Sequence, residues 1–415
     1  MLNQFINKFK DNILYLKFNE NRYKLIIQKL KIKNKINVIF LTNHISQWKY
    51  HPLFNIFKKD SRYHVKVIFI PDDNYNKNYL SEFEFNKVEF NKIDINLISA
   101  FNSDSNVWYD LNDFHKPDIV FFSRSLLKSK NKYSIFNFKN CLNCYVPYSL
   151  FIDNNDKLQC ATLFHKILWK QFLPFKDNLD IVKKYYDGNN VVITDYLGCD
   201  FFKLKKNSKK IWKNENNKKV IWAPHHTIDF ANRKNYFSTF LNFAQNMIDL
   251  SVKYKNSIDF CFKPHPALKE KLYNHNAWGL NKTNNYYKFW EHSDNTIISE
   301  STYHDLFIES DSLILDSVSF TAEYLYLEKP YCFLTKDYFD YSESLNIIGK
   351  KIFDIINKAN NINSLEKFID NSILKNDQKK LQDQKNLLKK INIINEKEML
   401  ASVNIYNYIN KIISS

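Results

Sequence analysis

Short runs of β-branched and aromatic residues alternate along the chain with longer stretches of mixed polar and apolar character. The runs Asn37–Leu41, Val65–Ile70, Ile119–Phe122, Cys144–Val146 and Val191–Thr194 predict one series of strands. A second series is predicted at Val220–Trp222, Phe260–Lys263, Leu313–Leu315 and Tyr331–Leu334. Between strands, His51–Lys58, Tyr236–Lys253 and Thr321–Leu327 have helical spacing. This alternation predicts an α/β fold with parallel sheets. The two series are separated by KLKKNSKKIWKNENNKK, residues 203–219, which is polar and reads as a linker. The expected organisation is a Rossmann-like domain over 1–205, a second over 206–375, and a helical tail over 376–415. In that tail Leu400, Val403, Ile405, Tyr408 and Ile409 fall near helical spacing and are expected to pack back on the first domain. Two such domains facing across a cleft bind ligands beyond the carboxyl ends of their strands. The segments just after the strands therefore carry the chemistry.

The chain's 415 residues leave room for a full core without disulfides. No apolar run approaches the roughly 20 residues that span a bilayer. The opening MLNQFINKFKDNILYLKF lacks the apolar core and cleavage site of a secretory signal, so a cytoplasmic location is expected. Lysine and arginine number 60 against 44 acids, a net charge of +16. Only Arg22, Arg62, Arg124 and Arg233 are arginines, and base readers favour arginine for its bidentate fork. No nucleic-acid partner is expected; a lysine-rich surface suits anionic lipid, nucleotides or a polyanionic product. Phe5, Ile6, Phe9, Ile13 and Leu14 lie beside lysines. This segment reads either as a helix on an anionic membrane surface, peripheral on the inner face, or as one packed on the first domain. Of the six cysteines, only Cys141 and Cys144 form a C-x-x-C, with no second pair at zinc-site spacing, so reduced thiols are expected.

Three segments after predicted strands hold candidate chemistry. WAPHHT places His225, His226 and Thr227 just past Val220–Trp222, as ligand contacts or as capping groups. Metal spacing of the H-x-H or H-x-x-H kind is absent there. In FKPHP, two prolines fix the backbone around His265 and present Lys263 beside it, a cation and an imidazole suited to a diphosphate. LDSVSFTAEYLYLEKP sets Ser317, Ser319 and Thr321 at an expected helix start near Thr321, an anion site or a simple cap. Glu323, one turn on, is placed to reach a ribose diol or to complement the helix dipole. A P-loop and a G-x-S-x-G elbow are both absent, which excludes the kinases and hydrolases that depend on them.

In this order, WAPHHT, KPHP and LDSVSFTAEYLYLEKP resemble the CDP-glycerol glycerophosphotransferases, the teichoic-acid primases and polymerases of GT-B fold. The family's usual TDYSS reads LDSVS here, and HHT stands where it often has T-x-R. The serine-rich segment with its glutamate is also similar to the nucleotide-binding segment of UDP-N-acetylglucosamine 2-epimerases and many GT-B glycosyltransferases. The resemblance implies a catalytic histidine in the first half, and His44, in FLTNHISQWKYHPLF, is the positional match. His51, followed by Pro52, reads as a helix start. YVPYSLFID (Tyr145–Asp153) is similar to the family's Y-x-PYG segment, and FFSR (Phe121–Arg124) can add an arginine.

The resemblance implies transfer of a polyol phosphate, such as glycerol phosphate, from a CDP-linked donor to a cell-surface polymer or lipid-linked acceptor. CMP would leave. His44 and His265 would be the catalytic pair, with Lys263, Ser317, Ser319, Thr321, Glu323, His225, His226 and Thr227 binding the donor. PDDN (Pro71–Asn74) and NSDS (Asn102–Ser105) do not match D-x-D, so no metal and no obligatory cofactor are expected beyond the nucleotide-diphosphate donor. The alternatives are a GT-B glycosyltransferase building capsule or lipooligosaccharide, a UDP-sugar epimerase, and a non-catalytic lysine-rich membrane- or polymer-binding protein.

Overall fold

A computed structural model describes residues 20–71, 78–125, 132–204, 211–228, 237–300, 303–337, 339–377, 379–391 and 400–414. The amphipathic N-terminal segment and most of PDDN lie outside these residues. The described residues fall into two compact units. The first is drawn from Met1–Leu150, Asn155–Asp200 and Asn392–Ser415, the second from Phe151–Asn154 and Phe201–Ile391.

The first unit contains β1 (Ile36–Thr42), β2 (Tyr63–Phe69), β3 (Leu97–Ser99), a hairpin of β4 (Phe101–Asn102) and β5 (Val107–Trp108), β6 (Ile119–Phe122), β7 (Leu142–Tyr145), β8 (Lys170–Leu173) and β9 (Val191–Ile193). Its parallel sheet runs β3-β2-β1-β6-β7-β8-β9. The strands are near-continuous apolar runs because helices cover both faces of such a sheet. Phe40 of β1 stacks on Phe121 of β6 with ring centroids 4.6 Å apart, and Trp48, Tyr50 and Phe57 surround them.

The second unit contains β10 (Lys218–Ala223), β11 (Ile258–Phe262), β12 (Thr296–Ile298), β13 (Ser312–Leu315), β14 (Tyr331–Leu334) and β15 (Asn357–Ala359). Its order is β12-β11-β10-β13-β14-β15, all parallel. Each sheet grows outward from a first strand and then restarts on that strand's other side, the Rossmann-like doubly wound pattern. Trp222 of β10 is fully buried among Phe240, Phe262, Tyr286 and Trp290. The tryptophan of WAPHHT is therefore a core anchor that fixes the strand from which the histidines depart.

The reading of residues 203–219 as a linker changes. The stretch read as a linker is tied to the second unit over its described part. Trp212 is buried, and Asn214 and Asn217 donate to the buried carboxylate of Asp259 on β11. NSDS forms the turn of the β4–β5 hairpin, where Asn102 Oδ1 accepts the backbone N–H groups of Asp104 and Ser105. The six cysteines are all free and buried; burial pushes Cys141 up to about 12 and Cys144 well above its ordinary value, and the Cys141 thiol donates to Pro117 O at 3.1 Å. Among the described residues no helix is long and apolar enough to cross a membrane.

The region read as one tail comprises two described helices. Lys379–Ile391 belongs to the second unit, and Ala401–Ser414 to the first. Ile405, Ile409 and Ile413 are fully buried, as are Ala401 and Ser402 at its start, whereas Leu400, Val403 and Tyr408 are half-buried. Its N-terminus is held by Asp200, whose carboxylate accepts the N–H groups of Ala401 at 2.9 Å and Ser402 at 2.8 Å. A charged cap of this kind is worth about 1–2 kcal/mol. The variant Asp200→Ala is expected to lose about that much stability in urea unfolding, with hydrogen-exchange protection falling first in residues 401–414. Unchanged protection there would contradict the cap.

Candidate functional site

Three strands of the second sheet end side by side, β11, β10 and β13, and each passes directly into one of the singled-out segments. Beyond β10 the chain runs through Pro224 to His225. The FKPHP turn follows it in parallel, with Lys263 N–H bonded to Trp222 O at 2.8 Å and His265 N–H to Pro224 O at 3.1 Å. Beyond β13 comes Asp316, which is fully buried. Its carboxylate accepts the N–H of His225 at 2.5 Å, the N–H of Thr239 at 2.5 Å and the Thr239 hydroxyl at 2.9 Å. Burial raises its pKa to about 6 against the pull of these donors and of Lys336, just past β14. Burial in turn lowers Lys336 to about 8, and Asp316 holds it up.

On this frame His225, His226 and His265 converge. The His225 and His226 rings stack with centroids 4.3 Å apart, and His265 meets His226 edge-on at 4.0 Å. One ligand nitrogen from each lies within 4.8 Å of the others, a spacing that can hold a metal ion. The hydrogen bonds assign the protons differently. His265 Nδ1 accepts the Ala267 N–H at 3.1 Å. His226 Nδ1 lies 3.0 Å from Lys271 Nζ, which donates. His225 Nδ1 lies 3.0 Å from Thr227 Oγ1. That oxygen already accepts the N–H groups of Phe237 and Ser238, so its proton goes to the ring. With Nδ1 accepting, each neutral imidazole carries its proton on Nε2. Protons on Nε2 make these rings donors, which suits anionic oxygens, and a metal bound through Nε2 would have to displace them. The rings stay neutral chiefly through burial, aided by Lys271. His226 is lowered to about 4, His265 to about 3, and His225 well below its ordinary value.

The serine-rich segment differs from its expected form. The helix spans Val318–Tyr324 with Ser317 as N-cap, so it starts three residues before Thr321. Ser319 sits half-buried in its first turn. Thr321 is buried, and its hydroxyl donates to Ser317 O at 2.8 Å. Glu323 is also buried and accepts the Tyr303 hydroxyl. Lys263 is buried beside the histidines, while Thr227 supports His225. Sequence reading assigned no role to Asp316, Thr239, Lys271 or Lys336. An aspartate directly after a strand was the one visible signal.

His44 belongs to the first unit, just past β1, where it caps the short turn Ile45–Gln47. Its Nδ1 accepts the Ser46 N–H at 3.1 Å and lies 2.8 Å from Ser46 Oγ. Burial lowers its pKa. The basic nitrogen is thus occupied, which leaves Nε2–H as the group offered outward. His51 opens the helix His51–Lys59 with Pro52 and is buried.

The pH dependence of stability follows from these groups. His226 and His265 have folded pKa values below the ordinary 6.5, so the unfolded chain takes up protons first. Their contribution is complete above pH 6.5 and is lost as pH falls toward 4. Asp316, raised to about 6, acts oppositely and favours folding as pH drops from 6 toward 3.8. In the double variant His226→Gln/His265→Gln, which keeps Asp316, urea stability should fall less between pH 7 and pH 5 than in the wild type. The expected difference is about 1–2 kcal/mol after allowance for partial exposure. Equal falls would contradict neutral, half-buried rings.

No family model and no curated protein matches the chain. Solved structures share its fold. A variant of the wall teichoic acid polymerase TagF aligns with a TM-score of 0.61 at 14% identity, covering 98% of this chain and 98% of that one. MnaA from S. aureus, solved with UDP, gives 0.58 at 15% identity over 91% of this chain and 96% of its own. A putative UDP-N-acetylglucosamine 2-epimerase from Listeria monocytogenes gives 0.59 at 13% identity over 91% and 96%. Likeness at these identities is one of fold: α/β, GT-B-like, built of Rossmann-like domains with parallel sheets.

Proposed function

We propose that the protein transfers a polyol phosphate from a CDP-activated donor to a hydroxyl of a cell-surface polymer or lipid-linked acceptor. The observation that carries this reading is the cluster of His225, His226 and His265 beside Lys263 and Lys271, after strands of a doubly wound sheet, where such folds receive ligands. Such a set can hold a diphosphate without a bound metal, because the donors are fixed before charge develops on the leaving oxygen. The acceptor oxygen bonds to the β-phosphorus while the bond from that phosphorus to the bridging oxygen breaks. The electron pair leaves with CMP, and the acceptor proton passes to solvent. His265 donates to the departing phosphate, and Ser317, the N-cap residue of the helix Val318–Tyr324, adds a hydroxyl on the donor side. The fold shared with TagF across nearly the whole of both chains supports a polymer-building role. A lipid-linked acceptor places the work at an anionic membrane surface, to which a net charge of +16 is suited.

Chemistry on a nucleotide sugar is the second reading, favoured by the fold shared with the UDP-bound MnaA structure. A panel of CMP, CDP-glycerol, CDP-ribitol, UDP and nucleotide sugars separates the two, read by thermal shift and nucleotide release. We expect stabilisation by cytidine nucleotides and release of CMP from one polyol donor, unaffected by chelators. A selective response to UDP-sugars would transfer the assignment to the second reading. In the folded His265→Ala variant, turnover should drop about 10²–10³-fold. Near-normal turnover would remove His265 from the chemistry.

A further inference from the structure

The first described helix, Glu20–Lys31, has one buried face and one that the fold leaves open. Tyr23, Ile26 and Leu30 are buried, and the Tyr23 hydroxyl donates to Ile167 O at 2.6 Å. At about 3.6 residues per turn, Leu25 and Ile32, the latter just past the helix end, fall on one line on the opposite side. They are 59% and 85% exposed, and among the described residues no other large apolar side chain is as exposed as Ile32. A lone exposed apolar side chain is ordinary. These two share a line that has lysines on both flanks, Lys29 on one and Lys24 and Lys31 on the other, all exposed.

The charge around this stripe does not cancel when its neighbours are counted. Between Glu20 and Lys35 six basic residues stand against one acid, Glu20. Lys33 is paired with Asp118 at 2.6 Å, which removes one cation. Asp60 feels the charge of Lys35 but has Arg62 beside it. The helix Ala401–Ser414, packed alongside, contains no acid and adds Lys411. Arg22 bonds to Asn140 at 3.2 Å, next to the exposed Lys139. A positive field therefore surrounds two exposed apolar side chains, and that combination selects the partner. A dissolved polyanion would use the lysines and leave Leu25 and Ile32 in water. An apolar protein groove would take Leu25 and Ile32 and strand the lysines. An anionic bilayer takes both: its headgroups meet the ammonium groups, and the two side chains enter the boundary of the acyl region. The nineteen residues ahead of the helix continue this composition, with Phe5, Ile6, Phe9, Ile13 and Leu14 among lysines.

We propose that this face of the helix Glu20–Lys31 docks the protein on an anionic bilayer, with Leu25 and Ile32 inserted and Lys24, Lys29 and Lys31 on the headgroups. It rests on the transfer reading for the presence of a membrane, and it names the surface that meets it. The test is flotation of the full chain with vesicles of phosphatidylcholine alone, or of phosphatidylcholine and phosphatidylglycerol in equal parts. Binding is expected only to the anionic vesicles and should weaken as salt is raised. Leu25→Ser/Ile32→Ser should weaken it about tenfold or more. Lys29→Ser/Lys31→Ser should weaken it by a similar factor. Lys389→Ser/Lys390→Ser, which removes the same charge from exposed positions in the second unit, should leave it unchanged. All six positions are exposed, so each variant should melt with the wild type. The proposal is overturned if no vesicle binds, which would leave the face to a protein partner, or if neutral vesicles bind equally well. It is also overturned if losing Leu25 and Ile32 changes nothing, so that charge alone suffices, or if the Lys389/Lys390 variant loses as much as the Lys29/Lys31 variant. A protein that floats with no vesicle can still release CMP from its donor in solution, so failure here and failure of the transfer reading are told apart.

Discussion

The carboxylate of Asp316 is buried where β10 and β13 diverge, and it accepts from the backbone of both His225 and Thr239. A buried carboxylate is costly unless its lone pairs are met. Here two amides, one hydroxyl and the nearby charge of Lys336 meet them. The consequence is geometric. The loop after β10 is tied to the end of β13 and to the start of the helix Phe240–Lys253, so His225 and His226 leave the sheet in a fixed direction. The prolines of FKPHP then need only bring His265 alongside.

What results is a donor set built from uncharged groups. Each ring has its own Nδ1 partner from its own neighbourhood: Thr227, Lys271 and the Ala267 amide. Three imidazolium ions packed this closely would repel one another and Lys271. Three neutral rings avoid that cost and still present Nε2–H groups. Such preorganised dipoles act without reorganising as charge develops, which is what a departing phosphate requires. Lysine supplies net charge nearby, and the imidazoles supply direction.

Strands with unbroken apolar runs, such as Asn37–Leu41 and Leu313–Leu315, were legible because burial on both faces demands such runs. Leu97–Ser99, Lys170–Leu173, Thr296–Ile298 and Asn357–Ala359 were not. Most are three residues long, and all four lie at or next to a sheet edge, where a residue such as Lys358 is tolerated. WAPHHT and FKPHP were legible as site segments because each directly follows a recognisable strand. The roles of Thr321 and Glu323 were less so. A helix that begins three residues earlier turns most of one revolution, and side chains expected at a ligand face inward. The part played by Asp316 was out of reach, since its partners His225 and Thr239 are 91 and 77 residues away in sequence. Trp212, inside a lysine–asparagine stretch, was hidden by the polarity of its neighbours.

The donor set depends on His225, His226 and His265 being neutral and carrying their protons on Nε2. Long-range ¹H–¹⁵N correlation spectra of ¹⁵N-histidine-labelled protein at neutral pH, assigned with single His→Gln variants, read this directly. The expected result for all three rings is an unprotonated Nδ1 and a protonated Nε2, unchanged as pH is lowered to about 5. Imidazolium signals, or rings protonated on Nδ1 with Nε2 free to bind a metal, would contradict it.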